Sequence, residues 1–427
     1  MLPRMSAALL PRERLGWSLN AIAFGALEGG LLGVIVKNQF EAAASPAWVS
    51  LAVAVVAGAP AFSNLSSFLF AGLAMGRNKA QLLSRLMVGI GLCLLLMPLV
   101  GHDAAGLLLF TLLTVVARVA WTGILTVRAV VWRANFPRHW RGKITARFER
   151  RASLLTALFI ALVGFAMDWN GDAWRLLFPL GGLSAFAAAA VYRFTRVRRQ
   201  RLLLRAETAG GRTAGRSLSL AAMAGVLREN RDFRNYMAGM MVFGAGNLMV
   251  VPMLVILVAD YFHLGRLEQV LITSSIPVLL LCFSVTFWAA RLDQRHIISY
   301  RAIHAWNFVL MIAVFAAAAI LHLPALLWLG AVLMGSAHGG GHLGWNLGHN
   351  DFTGDADSSL YMATHVSLTG VRGLVMPIAA VGFMQYLESL RPGLGVYGLL
   401  LPLTLSLAGS CWFVHLHRER RRLGLQP

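Results

Sequence analysis

The chain has 427 residues, of which 58% are hydrophobic and only 13% charged, and its mean hydropathy is +0.66. So apolar a composition excludes an ordinary soluble globular domain, and long unbroken apolar runs exclude a β-barrel. A formal charge of +20 would suggest nucleic acid in a soluble protein, but here the basic residues lie in short connections between apolar runs, the pattern of membrane topology.

A helix needs roughly 20 apolar residues to cross a hydrocarbon layer of about 30 Å. The runs predict an all-α polytopic membrane protein with twelve transmembrane helices in two pseudo-symmetric six-helix bundles. The first half holds spans 15–36, 47–73, 82–101, 104–130, 150–168 and 173–193. The second holds 234–259, 268–290, 299–321, 324–349, 358–385 and 394–416. Expected domains are 1–192, a basic cytoplasmic linker at 193–232, and 233–427 with its basic tail. Met1 to Gly16 has too short an apolar piece for a cleaved signal peptide, so the first span is expected to serve for insertion. With both termini cytoplasmic, only Lys37, Arg175, Arg266 and Arg391 among the connections fall on the opposite side. That bias predicts this orientation, makes lipid headgroups rather than nucleic acid the partner of the basic loops, and fits a bacterial inner membrane. Cys93, Cys282 and Cys411 fall in separate spans, with no disulfide or zinc spacing.

Polar groups at membrane depth are costly and mark candidate sites. Span 1 carries Asn20, Phe24 and Glu28 leaning to one face, and a Gly25, Gly29, Gly33 stripe suited to close helix packing. A desolvated carboxyl such as Glu28 suits proton exchange, against the plain alternative of a structural hydrogen bond. The turn after span 2 holds Gly76, Arg77, Asn78 and Lys79. Span 4 places Arg118 near its middle and Arg128 nearer the cytoplasm. An arginine cannot shed its charge, so Arg118 requires a counter-ion or an anionic ligand, with Glu28 the candidate partner; a permanent packing pair is the alternative. Between spans 4 and 5 lies Asn135-Phe136-Pro137-Arg138-His139-Trp140-Arg141-Gly142-Lys143.

In the second half, span 7 offers Asn247 with Pro252 beyond it, and the turn after span 8 repeats a basic pattern with Asp293 and Arg295. Span 10 contains GSAHGGGHLGWNLGHN. On a helix, His338, His342, Trp345 and His349 share a face, with Asn346 at its margin, and Gly340, Gly344 and Gly348 lie opposite. A polar aromatic face backed by glycine suits a helix that lines a cavity. Zinc at His338 and His342 lacks a third ligand nearby, and no phosphate-loop ending follows, so no metal is expected. Span 11 adds His365, Thr369 and Arg372, the last near mid-membrane, where it could also be neutralised by Asp351, Asp355 and Asp357. Arg85, Arg301 and Asp260 lie near predicted helix ends, where snorkelling explains them.

The six-plus-six layout, the turns at Gly76-Arg77-Asn78-Lys79 and Arg291 to Arg295, and the Pro137…Arg141-Gly142 element resemble the major facilitator superfamily over almost the whole chain. Leu73 stands where that superfamily usually has an aspartate, a role Asp293 fills in the second half. Arg118 with Gly123 resembles its helix 4 arginine motif, with the glycine one position late. The resemblance implies a pathway lined by spans 1, 4, 7 and 10, and gating loops at Gly76, Arg77, Lys79, Arg141, Gly142, Asp293 and Arg295. Span 5 lacks the Gly-Pro pattern of drug/proton antiporters.

No nucleophile elbow or Walker sequence occurs, so neither an enzyme nor a cofactor is expected. The expected function is proton-coupled alternating access for a small organic, anionic solute, by a monomer. Glu28 and Arg118 would couple protons. Asn20, Arg118, Asn247, His338, His342, Trp345, Asn346, His365 and Arg372 would contact substrate. Efflux of lipophilic cations, or a non-transporting sensor or assembly factor, are the alternatives.

Overall fold

A computed structural model describes residues 4–209, 220–353 and 358–425, and within these every regular element is helical. In the first half α1 (Arg4–Ala26) and α2 (Gly29–Gln39) form one broken span, and α3 (Pro46–Phe62) with α4 (Ser67–Ala74) a second. Then come α5 (Lys79–Leu96), α6 (Ala104–Asn135), α7 (Arg138–Trp169) and α8 (Trp174–Arg193). Two short helices, α9 (Gln200–Ala209) and α10 (Leu220–Glu229), belong to the connection. The second half begins with α11 (Arg231–Ile256), then α12 (Arg266–Val270), which runs through a π-helical turn at Leu271–Ser275 into α13 (Ile276–Leu292). It ends with α14 (Ile297–Leu321), α15 (Pro324–Leu347), α16 (Ser358–Leu390) and α17 (Leu400–Arg422).

Among the described residues eleven helical segments are long and apolar enough to cross a membrane. The twelfth crossing is α15, whose histidines and glycines displace aliphatic residues. Its 24 residues reach about 36 Å at 1.5 Å each, and it packs against α13 and α14 as a spanning helix does. The protein is an all-helical integral membrane protein of two six-helix bundles. In the first, α5 packs on α8, α8 on α1 and α1 on α7; in the second, α13 packs on α15, α15 on α14, and α17 on α11 and α14. The halves meet where α16 lies along α3 and where α12 and α13 lie along α7.

Each predicted span has its helix, but two start earlier than hydropathy suggests. Span 1 begins at Arg4 rather than 15, because its polar residues are buried by protein: Ser6 donates to the Asn135 carbonyl and Glu13 is 3% exposed. Helix α7 begins at Arg138 rather than 150, burying Ile144 and Phe148.

The break in span 1 has a local cause. At Glu28 the backbone turns extended (φ −66°, ψ 134°), and its carboxylate accepts from the Gly30 and Leu31 N–H groups at 2.8 and 3.2 Å. A carboxylate at the start of α2 satisfies amides that have no intrahelical partner and complements the helix dipole. The glycine stripe serves three neighbours rather than one: Gly25 faces Phe159, Gly29 faces Ala57 and Gly33 faces Val255.

Candidate substrate site

Arg118 projects from the middle of α6 and is 3% exposed. No acceptor lies within hydrogen-bond distance of its Nε, and its guanidinium sits over the Phe24 ring at 4.9 Å. Phe24 stacks on Trp121 at 4.3 Å, Trp121 on Trp17 at 5.6 Å, and Arg128 lies 3.3 Å over Trp17. The seam between α1 and α6 is therefore a ladder of rings with a guanidinium at each end. Cation–π contact stabilises such charges but leaves their in-plane donors free. Asn20, on the same helix as Phe24, is fully buried with both amide atoms unpartnered.

The two arginines differ in pairing. Arg128 donates to Glu13 at 2.9 Å and lies 3.7 Å from Glu149. Glu13 also accepts from the Trp132 indole and from the Tyr192 hydroxyl at 2.7 Å. The expected Glu28–Arg118 ion pair does not form. The Glu28 carboxylate is engaged as the α2 cap, and Ser274 of the π-helical turn donates to the same oxygen. Glu28 thus bridges the two halves and acts on Arg118 as a nearby charge without forming an ion pair with it.

On α15, His338 is half-buried, His342 is exposed and Trp345 and Asn346 are half-buried, while Gly340 and Gly344 are buried. The polar face is thus open and the glycine face packed. His338 abuts the Phe308 ring at 5.8 Å, and Glu149 of the first half is the charged group facing His342. Asn346 turns back to the His342 carbonyl at 2.8 Å, and the Trp345 indole donates to Thr369 at 3.2 Å. His349 leaves this face. The α-helix ends at Leu347, the chain tightens to a 3-10 turn, and His349 is buried at 6% exposure.

Other expected contacts lie elsewhere. Asn247 accepts from Ser406 of α17 at 3.2 Å, so its side chain is turned to that helix. Arg372 is 3% exposed and donates to Thr369 at 2.9 Å and to the Met240 carbonyl, and His365 is fully buried. Both are held inside the second bundle. Arg301, expected to snorkel, is 1% exposed, because α14 is covered there by the glycines of α15.

Of the expected gating loops, Gly76 adopts φ +65° in its turn and Lys79 is 1% exposed. Glu207 of α9 accepts from the Gly76 N–H at 2.9 Å and pairs with Lys79. The connecting segment therefore supplies the acid that Leu73 does not. Arg77 and Asp293 are exposed and Arg295 half-buried. Arg141 and Gly142 fall in the first turns of α7, and beyond that backbone both lie outside the described residues, as do Asp355 and Asp357.

At the bundle end opposite the termini, Lys37 pairs with Asp260 at 2.8 Å and Asn38 donates to Gln269 at 2.8 Å. Asp168 accepts from the Arg266 N–H at 2.7 Å. Each contact joins the first half to the second. Sequence reading missed this latch, since Lys37 and Asp260 were each explicable as loop residues; their opposite charges at matching ends of spans 1 and 7 were the available signal. Among the described residues no group of three or more ligand-type side chains could hold a metal ion.

No protein-family model and no curated protein matches the sequence. Solved structures do match its fold. A nucleoside transporter, NupG, is 12% identical with a TM-score of 0.71, covering 96% of this chain and 99% of that one. A D-xylose–proton symporter is 13% identical with a TM-score of 0.72, covering 96% and 97%. A peptide transporter in complex with alafosfalin is 13% identical with a TM-score of 0.66, covering 97% and 95%. The chain thus has the major facilitator fold over nearly its whole length.

Proposed function

We propose that the chain is a proton-coupled secondary transporter that moves a small organic anion by alternating access. The observation that carries this reading is Arg118, a permanent charge at the middle of its helix, 3% exposed and, among the described residues, in no ion pair with a carboxylate, beside an aromatic ladder. Desolvating an unpaired guanidinium costs several kcal/mol, and a carboxylate or phosphate on the substrate offsets that cost through bidentate hydrogen bonds. Phe24 and Trp121 offer a stacking surface next to the charge, and in this reading the open face of α15, with His338 and His342, supplies the other wall.

Glu28 supplies the coupling. Deprotonated, it accepts from Gly30, Leu31 and Ser274 and holds the start of α2 against the π-helical turn of the second half. Protonated, it loses acceptor capacity, and the joint to Ser274 weakens. The three solved structures of this fold are a nucleoside transporter, a D-xylose–proton symporter and a peptide transporter. The fold therefore admits proton coupling but leaves the substrate class to this chain's residues. Domains at 1–192 and 233–427, the linker 193–232 and both termini in a bacterial cytoplasm complete the reading, which makes the latched end periplasmic.

The test is thermal unfolding of the purified protein against organic anions, sugars and lipophilic cations. A ligand specific to the folded state stabilises it by about 2.7 kcal/mol at 100 times Kd. Stabilisation by anions, lost in Arg118→Gln, is expected. Stabilisation by cations alone, lost in Glu28→Gln, would replace the anion reading with cation efflux.

A further inference from the structure

The second bundle contains a cationic cluster that the proposed pathway does not use. We propose that it binds a small monovalent anion of halide size, held by Arg301, Arg372 and Tyr236. Two positions of α15 and the first residue beyond it bring the cluster together. Gly344 lies against the Arg301 guanidinium, where an added Cβ would come 2.8 Å from its central carbon. One turn later Gly348 lies against the Tyr236 hydroxyl, where a Cβ would come within 3.0 Å. Between them Trp345 donates to Thr369, which in turn accepts from Arg372 at 2.9 Å, and the Trp345 ring lies 5.7 Å from His365.

The donors outnumber their acceptors. Arg301 has two long contacts, 3.4 Å to His304 and 3.4 Å to the Gly341 carbonyl, and the Tyr236 hydroxyl as a neighbour, and among the described residues its Nε has no partner. Among the described residues the Arg372 Nε and both His365 nitrogens are also buried without partners, and the Tyr236 hydroxyl is buried with the Arg301 guanidinium as its polar neighbour. Exposure of Arg301, Arg372, Tyr236 and His365 is 1%, 3%, 0% and 0%. Buried polar groups in folded proteins are hydrogen-bonded, and buried charges are paired. In the first bundle Arg128 is buried to a similar degree and is paired with Glu13. In the second bundle the charged groups facing Tyr236 are Arg301, Arg372 and Asp351, and the Asp351 carboxylate accepts from the Ile297 N–H at 2.6 Å as the cap of α14. Two guanidinium charges are left to a ligand. The glycine contacts show backbone already pressed against the side chains, so any ligand here is small rather than a metabolite.

The experiment compares unfolding of the purified full-length protein in sodium chloride and sodium gluconate at equal ionic strength, and locates bromide by anomalous scattering. Chloride is expected to raise the midpoint in a saturable way, and bromide to occupy a site in contact with Arg301 and Arg372. Losing one donor to a charged partner, in Tyr236→Phe, should raise the half-saturating chloride about tenfold, and Arg372→Gln should abolish the response. Arg118→Gln should retain it, which separates this site from the substrate site. A midpoint indifferent to chloride, an unchanged response in Tyr236→Phe, or bromide only at the surface would each overturn the proposal. Tyr236→Phe keeps the test decisive if Arg372→Gln does not fold.

Discussion

Glu28 is a helix cap and a link to the other half, and it is the proton acceptor of the proposed mechanism. The side-chain amide introduced by Glu28→Gln keeps one oxygen for the cap, so loss of stability should stay at or below about 1 kcal/mol. Transport driven by a pH gradient should disappear, whereas exchange of labelled for unlabelled substrate should persist in proteoliposomes. Unchanged driven accumulation would remove Glu28 from coupling. The residue was legible in the sequence because a carboxylate at membrane depth has few benign explanations, and Arg118 was legible for the same reason. Their relation was not, because the break in span 1 turns the Glu28 carboxylate toward Gly30 and Ser274. Glu13 and Arg301 escaped notice because hydropathy places helix ends poorly: the first fell before the predicted span, and the second was credited with snorkelling that its burial at 1% forbids.

At the scale of elements, the break between α1 and α2 lets a half-helix approach the π-helical turn of the other bundle. Gly30 makes this possible, since a Cβ there would lie 2.2 Å from the Ser274 hydroxyl and 2.9 Å from the Thr273 carbonyl. Gly30→Val should therefore leave each bundle folded and prop the halves apart. A cysteine introduced at Asn38 in a cysteine-free background should then label faster with an impermeant maleimide than the same cysteine in the parent. The connecting helix α9 makes a different element-scale link. Lys79 is buried and its partner Glu207 is 19% exposed, so Glu207→Met should cost about 1–3 kcal/mol by leaving a buried ammonium unpaired. Adding Lys79→Met should recover most of that loss, measured as a double-mutant cycle in thermal unfolding. The basic turn itself could be read from Gly76 to Lys79; its acid partner could not, because a contact across 128 positions has no local signature.

For the whole molecule, several contacts that join the halves through polar side chains lie at the end opposite the termini: Lys37 with Asp260, Asn38 with Gln269, and Asp168 with the start of α12. Alternating access requires such a latch to be strong enough to close and weak enough to open. Lys37 and Asp260 have side-chain exposures of 10% and 38%, so screening limits the pair to about 1 kcal/mol or less. Asp260→Asn should thus shift the balance of closed and open states up to about fivefold, since about 1.4 kcal/mol is a factor of ten. Spin labels across this end should report a larger fraction of long distances in Asp260→Asn. The exchanged pair Lys37→Asp with Asp260→Lys should return the distribution toward the parent, because the attraction depends on opposite charge and not on which half carries it. A distribution indifferent to both changes would move the closing force from this ion pair to the packing of α16 on α3 and of α12 on α7.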